Sequence, residues 1–262
     1  MLSRRAEAIK GKAFTFRVVD GGGATLSIGA ATFDIASAFS APGSPLVWNN
    51  LTEKVDGWAV RVDRAHADEG RWTVSASSGD YTLSRRYALD PAPPVAALRV
   101  LIDDTLTSTA AELIGISVKH DVRLARGTVD NVQVPGRFEP GMCGTDGPDG
   151  NAAIFGYADY EAHSTNFGAP HIWLNTTTGA GLGMVALDDV FRVHAQQRQF
   201  AAASLNPRVK MSCPVNDPPS IRLSDPFFGL APAASHTLEW AVYPFGAVSF
   251  LCLRVLHLFM LW

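Results

Sequence analysis

The chain has 262 residues, with 22 Lys and Arg against 25 Asp and Glu, for a formal net charge of −3. That balance excludes a general nucleic-acid binder, which carries a marked basic excess. An apolar fraction of 47% with only 18% charged residues also excludes a disordered chain, which needs few apolar residues and many charges.

The N-terminus, MLSRRAEAIKGKAFTF, has basic residues but no apolar run behind them. A secretory signal needs roughly 7–15 apolar residues there, so the chain as written reads as cytoplasmic. Alternation then takes over. Phe14, Phe16 and Val18 alternate with Thr15 and Arg17, Gly21–Gly23 turns the chain, and Leu26 and Ile28 follow. Trp58, Val60 and Val62 share one face, and Arg61 and Asp63 the other; Trp72, Val74 and Ala76 alternate with polar residues. Tyr81, Leu83, Arg85, Tyr87 and Leu89 lie on one face of a long strand, which Asp90–Pro94 closes because proline cannot continue a ladder. Leu98, Val100 and Ile102 make the next strand; Ile114, Ile116, Val118 and His120 share a face of another. Met184 with Ala186, Phe191 with Val193, and Leu238, Trp240 and Val242 extend the pattern.

Period-2 alternation without sustained helical spacing predicts an all-β antiparallel sandwich. Arg137–Asn151 and the stretch from about Ser204 to Ser220, rich in Gly and Pro, are predicted as loops. One β-sandwich domain over residues 1–246 is expected, followed by a tail over 247–262 that is almost wholly apolar. The tail is too short to span a bilayer, which takes about 20 residues. Three readings of it stand open: a buried or partner-covered helix, a membrane-surface segment, or a run foreign to the native design. Exposed, it would promote self-association.

Cys143, Cys213 and Cys252 are far apart and form no CxxC pair, which argues against a finger-type zinc site and favours unpaired thiols over a disulfide. Asp159, Glu161 and His163 alternate and could face one side of a strand. An exposed polar face explains them more simply, so no metal and no cofactor are expected. No G-x-S-x-G elbow and no phosphate loop is present.

The segment Asp80–Asp121, with its Tyr-x-Leu-x-Arg-x-Tyr-x-Leu strand followed by Arg99–Thr109 (RVLIDDTLTST), resembles the galactose-mutarotase-like supersandwich domains of carbohydrate-active enzymes. Ser108 departs from the Asn common at that position in such domains. His236–Pro244 (HTLEWAVYP) resembles one of their late strands, and Gly181–His194 (GLGMVALDDVFRVH) one of their hairpins. The resemblance implies a large all-β supersandwich and a sugar-related role. The leading expectation is a glycoside hydrolase, or its β-sandwich domain separated from a C-terminal catalytic partner. A sugar mutarotase or epimerase and a non-catalytic carbohydrate-binding module are the alternatives.

Glycoside hydrolysis uses two carboxylates about the scissile bond, and Glu239 is the first candidate. It lies on the strand face opposite Leu238 and Trp240, with Tyr243, and an exposed strand glutamate is its plainer reading. Asp189 is the second, although adjacent Asp188 and Asp189 at a turn ordinarily bond nearby backbone N–H groups; Asp103 and Asp104 are read the same way, as residues opening a strand. His120, on an apolar strand face, is most simply a satisfied, partly buried group; if that face lines a cleft, it supplies a group able to move a proton near neutral pH. With Glu239 it would make the His/Glu set that the mutarotase resemblance implies; His163 and His171 are the other histidines of the right type. Substrate-binding candidates are Trp48 and Trp173, as stacking platforms near loops, with Arg192 and Tyr243.

Overall fold

The computed structural model describes residues 9–10, 14–51, 58–92, 97–125, 128–134, 137–140, 171–188, 208–212 and 220–245. Within them the chain forms seventeen strands and one short 3₁₀ turn, Ala67–Glu69. The strands are β1 (Ile9–Lys10), β2 (Thr15–Val18), β3 (Ala24–Ile28), β4 (Ala31–Ala41), β5 (Ser44–Asn50), β6 (Ala59–Asp63), β7 (Arg71–Ser77), β8 (Tyr81–Ala92) and β9 (Ala97–Ser108). They continue with β10 (Ile114–Leu124), β11 (Val129–Val134), β12 (Arg137–Pro140), β13 (His171–Thr176), β14 (Gly181–Ala186), β15 (Arg208–Ser212), β16 (Ser220–Leu230) and β17 (Ser235–Phe245).

These strands make two antiparallel sheets. The first runs β1-β2-β3-β4-β10-β16-β15, with β5 continuing along the edge of β4 beyond β3. The second runs β12-β11-β13-β14-β17-β9-β8-β7-β6. The predicted all-β sandwich is the observed architecture. The two predicted loops contain strands: Arg137–Pro140 pairs with β11, and Arg208–Ser212 pairs with β16. Their Pro and Gly neighbours hid two short strands. Cys143, Cys213, Cys252, the Asp159–His163 set and the tail 247–262 lie outside the described residues.

Alternation places the core between the sheets. Phe16, Leu26, Phe33, Ile35 and Phe39 project from the first sheet, and Trp72, Val74, Leu83, Tyr87, Ile102, Leu106 and Trp240 from the second; all are buried. Each such side chain contributes about 1.5–3 kcal/mol by leaving water. Aromatic contacts knit the sheets, with Phe16 edge-to-face on Trp72 at 5.2 Å and tilted against Tyr87 at 5.5 Å between ring centroids. Gly22, in the β2–β3 turn, has φ +86°, and a Cβ there would lie 2.7 Å from Val74 Cγ1. Only glycine suits that turn, which presses directly on the facing sheet.

Candidate functional site

Polar side chains gather in two places: between the sheets and on the outer face of the second sheet. The inner group starts from Arg85, whose place in the alternation of β8 points it inward, where it is fully buried. Its Nε and Nη2 donate to Asp104 Oδ1 and Oδ2 at 2.6 and 2.7 Å. Nη2 also donates across the sandwich to Ser37 Oγ at 2.7 Å, and Nη1 to the Tyr87 hydroxyl at 3.1 Å. The Tyr87 hydroxyl donates to Gly22 O at 2.9 Å, and Trp240 Nε1 to Asp104 Oδ2 at 3.1 Å. Ser37 and His120 are register partners on β4 and β10, with Ser37 Oγ 2.9 Å from His120 Nδ1.

Electrostatics explains why a charged pair survives here. Burial pushes the Asp104 carboxyl up, but the Arg85 charge and hydrogen bonds outweigh it and hold it below the usual carboxylate range. Burial works against the Arg85 charge too, and the Asp104 charge reverses that, so Arg85 rises. Burial drives His120 down to about 3, against the pull of Asp104. The cluster is therefore a neutral imidazole beside a fully desolvated ion pair. Its members are closed to solvent, so it clasps one sheet to the other and receives no substrate.

This corrects the His120 assignment. His120 is on β10 of the first sheet and faces the core; Glu239 is on β17 of the second sheet and is exposed on its outer side. The pair does not share a cleft, because the alternation that buries Trp240 turns Glu239 away from it. Asp103 and Asp104 also differ from expectation: they lie within β9, one facing out and one in, and neither opens the strand.

The outer face of the second sheet carries the other group. One cross-strand row reads Glu239–Asp103–Arg86–Thr73–Asp63, through register partners on β17, β9, β8, β7 and β6. Arg86 Nε donates to Asp103 Oδ2 at 2.8 Å, and its Nη2 binds the same oxygen. A parallel row holds Trp173, Gly183 and Tyr243 as partners on β13, β14 and β17. There the Tyr243 hydroxyl accepts from Arg99 Nη1 at 3.2 Å, and Arg99 pairs with Asp90.

The two rows differ in exposure. Glu239, Arg86 and Thr73 are open to solvent, whereas Trp173, Val185 and Ala241 on the same face are buried without joining the main core. At 7% exposure, Trp173 is not the open platform expected of it. Tyr243 is half-buried and keeps the outward position predicted. Trp48 lies on the first sheet, half-buried, with the Lys119 ammonium 3.9 Å from its ring centroid. Asp188 lies 3.3 Å from His236 Nε2, and backbone N–H groups of Leu187 and Asp188 donate to Glu239 O. Asp189 and Arg192 lie outside the described residues. Among the described residues no three His, Cys, Asp or Glu side chains gather as a metal-ligand set, and no helix is long and apolar enough to cross a membrane.

Sequence reasoning missed Arg86 and Asp103 as outer-face partners, and the cleft that Asp63, Ala65, His66, Arg71, Thr73 and Arg86 line beside them. The available signal was the Arg-Arg pair of β8 opposite the Asp-Asp pair of β9: one Arg–Asp couple faces in and the other out.

No known family model matches the sequence, and no curated protein matches it. Solved structures do match in shape. The α-N-acetylgalactosaminidase NagBb from Bifidobacterium bifidum, in its GalNAc complex, superposes with a TM-score of 0.50 at 7% identity, over 93% of this chain and 36% of that one. Slr1438 from Synechocystis sp. PCC 6803 gives 0.48 at 8% identity over 91% and 94%, and a candidate aldose 1-epimerase from Escherichia coli K12 gives 0.41 at 12% over 91% and 98%. The chain thus spans nearly all of the two smaller proteins and about a third of NagBb. Two large antiparallel sheets in this arrangement are the supersandwich fold that the sequence resembled.

Proposed function

We propose that the chain is a carbohydrate-directed β-sandwich domain of the glycoside-hydrolase type, acting on an oligo- or polysaccharide through the outer face of its second sheet. The observation that carries this reading is the pairing of Glu239 with Asp103. Directly opposite residues on antiparallel strands have Cβ atoms about 4.5–5.5 Å apart. From such positions two carboxyl groups can reach the separation of about 5–5.5 Å that a retaining glycosidase uses. Like charges placed opposite each other normally destabilise a sheet, and Arg86 offsets this by binding Asp103.

The roles follow from the surroundings. Asp103, gripped by Arg86, is the carboxylate that faces a developing positive charge. Glu239, whose exposed carboxylate has no hydrogen-bond partner among the described residues, is the group that gives and takes a proton. Tyr243, with Arg99 and Asp90 beside it, offers a ring and polar groups to a neighbouring sugar. The coverage of about a third of NagBb supports a place within a larger enzyme, beside a C-terminal partner domain.

The test is a screen of the purified chain against chromogenic glycosides and a polysaccharide panel, scoring hydrolysis and binding together. Hydrolysis lost in both Glu239→Gln and Asp103→Asn supports the carboxylate pair. Binding without turnover moves the chemistry to the partner domain. Absence of both overturns the reading.

One observation favours a second reading, a mutarotase or epimerase. His171 is in register with Val185, and Val185 with Ala241, two residues along β17 from Glu239. A histidine and a glutamate thus belong to one sheet, as His120 and Glu239 do not. Polarimetry of freshly dissolved galactose would detect this activity, and an unchanged rate in His171→Asn would remove it.

A further inference from the structure

A cleft of about 210 Å³ opens on the outer face of the second sheet, lined by Asp63, Ala65, His66, Arg71, Thr73 and Arg86. Its floor is strand. Thr73 is flanked by its register partners Asp63 and Arg86, and Arg71 lies one same-face step along β7. Its wall is the β6–β7 arm, residues 64–70. The arm is fixed before any ligand arrives: Ala65 N donates to Asp63 Oδ1 at 2.9 Å, Arg71 N to His66 O at 3.0 Å, and Leu89 N to Gly70 O at 2.9 Å. Arg64 ties it to the first sheet through Asp20 and Val18 O.

The inventory of polar groups gives the ligand's chemistry. Arg71 spends one N–H on Glu69, and Arg86 spends Nε and Nη2 on Asp103. Each guanidinium has five N–H donors, so both keep donors for a guest. The Thr73 hydroxyl adds another. Against these stand Asp63, with Oδ1 already engaged by Ala65 N, the Thr73 hydroxyl oxygen, and the His66 ring, whose Nδ1 lies 3.2 Å from Glu69 Oε1. A site richer in donors than acceptors selects an acceptor-rich guest, and planar guanidinium forks suit oxyanions best. The remaining Asp63 oxygen suits a hydroxyl on the same guest.

We propose that this cleft binds a sugar unit bearing an anionic substituent, a carboxylate, sulfate or phosphate. Arg71 and Arg86 take the oxyanion, and Asp63 and Thr73 take ring hydroxyls. The proposal rests on the carbohydrate reading above and names its substrate class. The cleft lies at one end of the row that has Glu239 at the other, so one saccharide chain lying across the strands would meet both.

Amide chemical-shift titration of the full chain tests it, with methyl β-D-glucoside, methyl β-D-glucuronide, glucose 6-phosphate, glucose 6-sulfate and inorganic sulfate as probes. At least one charged sugar should shift the amides of residues 63–73 and bind at least tenfold more tightly than the neutral glucoside. Arg71→Gln and Arg86→Gln, both at exposed side chains, should each weaken it about tenfold; the melting temperature should hold in Arg71→Gln and fall slightly in Arg86→Gln, which uncovers the repulsion between Asp103 and Glu239. Equal binding of neutral and charged sugars overturns the anion assignment. Inorganic sulfate binding as tightly as any charged sugar overturns the sugar assignment. Saccharide binding in the panel with the cleft amides unmoved overturns the cleft alone, and leaves the carbohydrate reading standing.

Discussion

The imidazole of His120 lies flat on the indole of Trp240, 4.3 Å between centroids at an interplanar angle of 15°, and the two come from opposite sheets. The contact ties the protonation of one ring to the union of the sandwich. Burial holds His120 in its neutral form, down to about 3 from an ordinary 6.5. The unfolded chain therefore takes up a proton that the folded chain refuses. The contribution of His120 to stability is complete above pH 6.5 and is lost as pH falls from there toward 3, by about 1.4 kcal/mol per unit. Urea titrations at pH 7, 6 and 5 should show this slope, and His120→Gln should flatten it. Equal slopes in the two proteins would contradict the assignment.

Arg85 and Asp104 are both inaccessible to solvent. Arg85→Met strands a carboxylate in the interior and should cost about 3–5 kcal/mol. Replacing both residues, Arg85→Met with Asp104→Leu, should recover most of that loss, because the desolvation of two charges disappears with them. Denaturant midpoints of the single and double variants decide the matter. A double variant no more stable than Arg85→Met would mean that the bonds to Ser37, Tyr87 and Trp240 matter more than the ion pair.

Gly22→Ala should be costly for two reasons, a backbone at φ +86° and a methyl 2.7 Å from Val74. The expected loss is about 2 kcal/mol, which lowers the melting temperature of a domain this size by roughly 4–8 °C. Gly29→Ala, also at positive φ but with nothing within 4 Å, should cost less. Scanning calorimetry of the two variants separates crowding from backbone strain.

Trp48→Ala should leave saccharide binding intact if the outer face of the second sheet is the working surface, since Trp48 belongs to the first sheet and its ring faces Lys119. The expected cost to folding is about 1 kcal/mol from the cation–π contact, plus the buried part of the ring. Loss of binding in this variant, measured by affinity electrophoresis, would shift the site to the first sheet.

Much of the architecture was readable because large and polar residues alternate in β8, β9, β10 and β17. β4 was not readable: ATFDIASAFSA holds Ala and Ser on both faces, and Ala36, Ala38 and Ser40 are buried on the outer side as well. Small residues give no periodic signal, yet they let neighbouring side chains close over the strand. The inner cluster was half legible, for Arg85 stood out in an apolar run, but its partner Asp104 looks like any turn aspartate until β9 is paired. The outer row was illegible for a general reason. Glu239, Asp103, Arg86, Thr73 and Asp63 are distributed over most of the chain, and only strand order makes them neighbours.

β17 sits between β14 and β9 in the second sheet. The last described strand is therefore the one that joins the two halves of that sheet. On the ribosome, β9 must wait with one edge unpaired until more than a hundred further residues have been made. The nascent chain is exposed to strand-swapping and aggregation throughout that interval. A chaperone or a slow stretch of translation before Ser235 would have its greatest effect there. Any shortened product ending before β17 would carry two further unsatisfied sheet edges, those of β14 and β9, which β17 pairs in the finished domain.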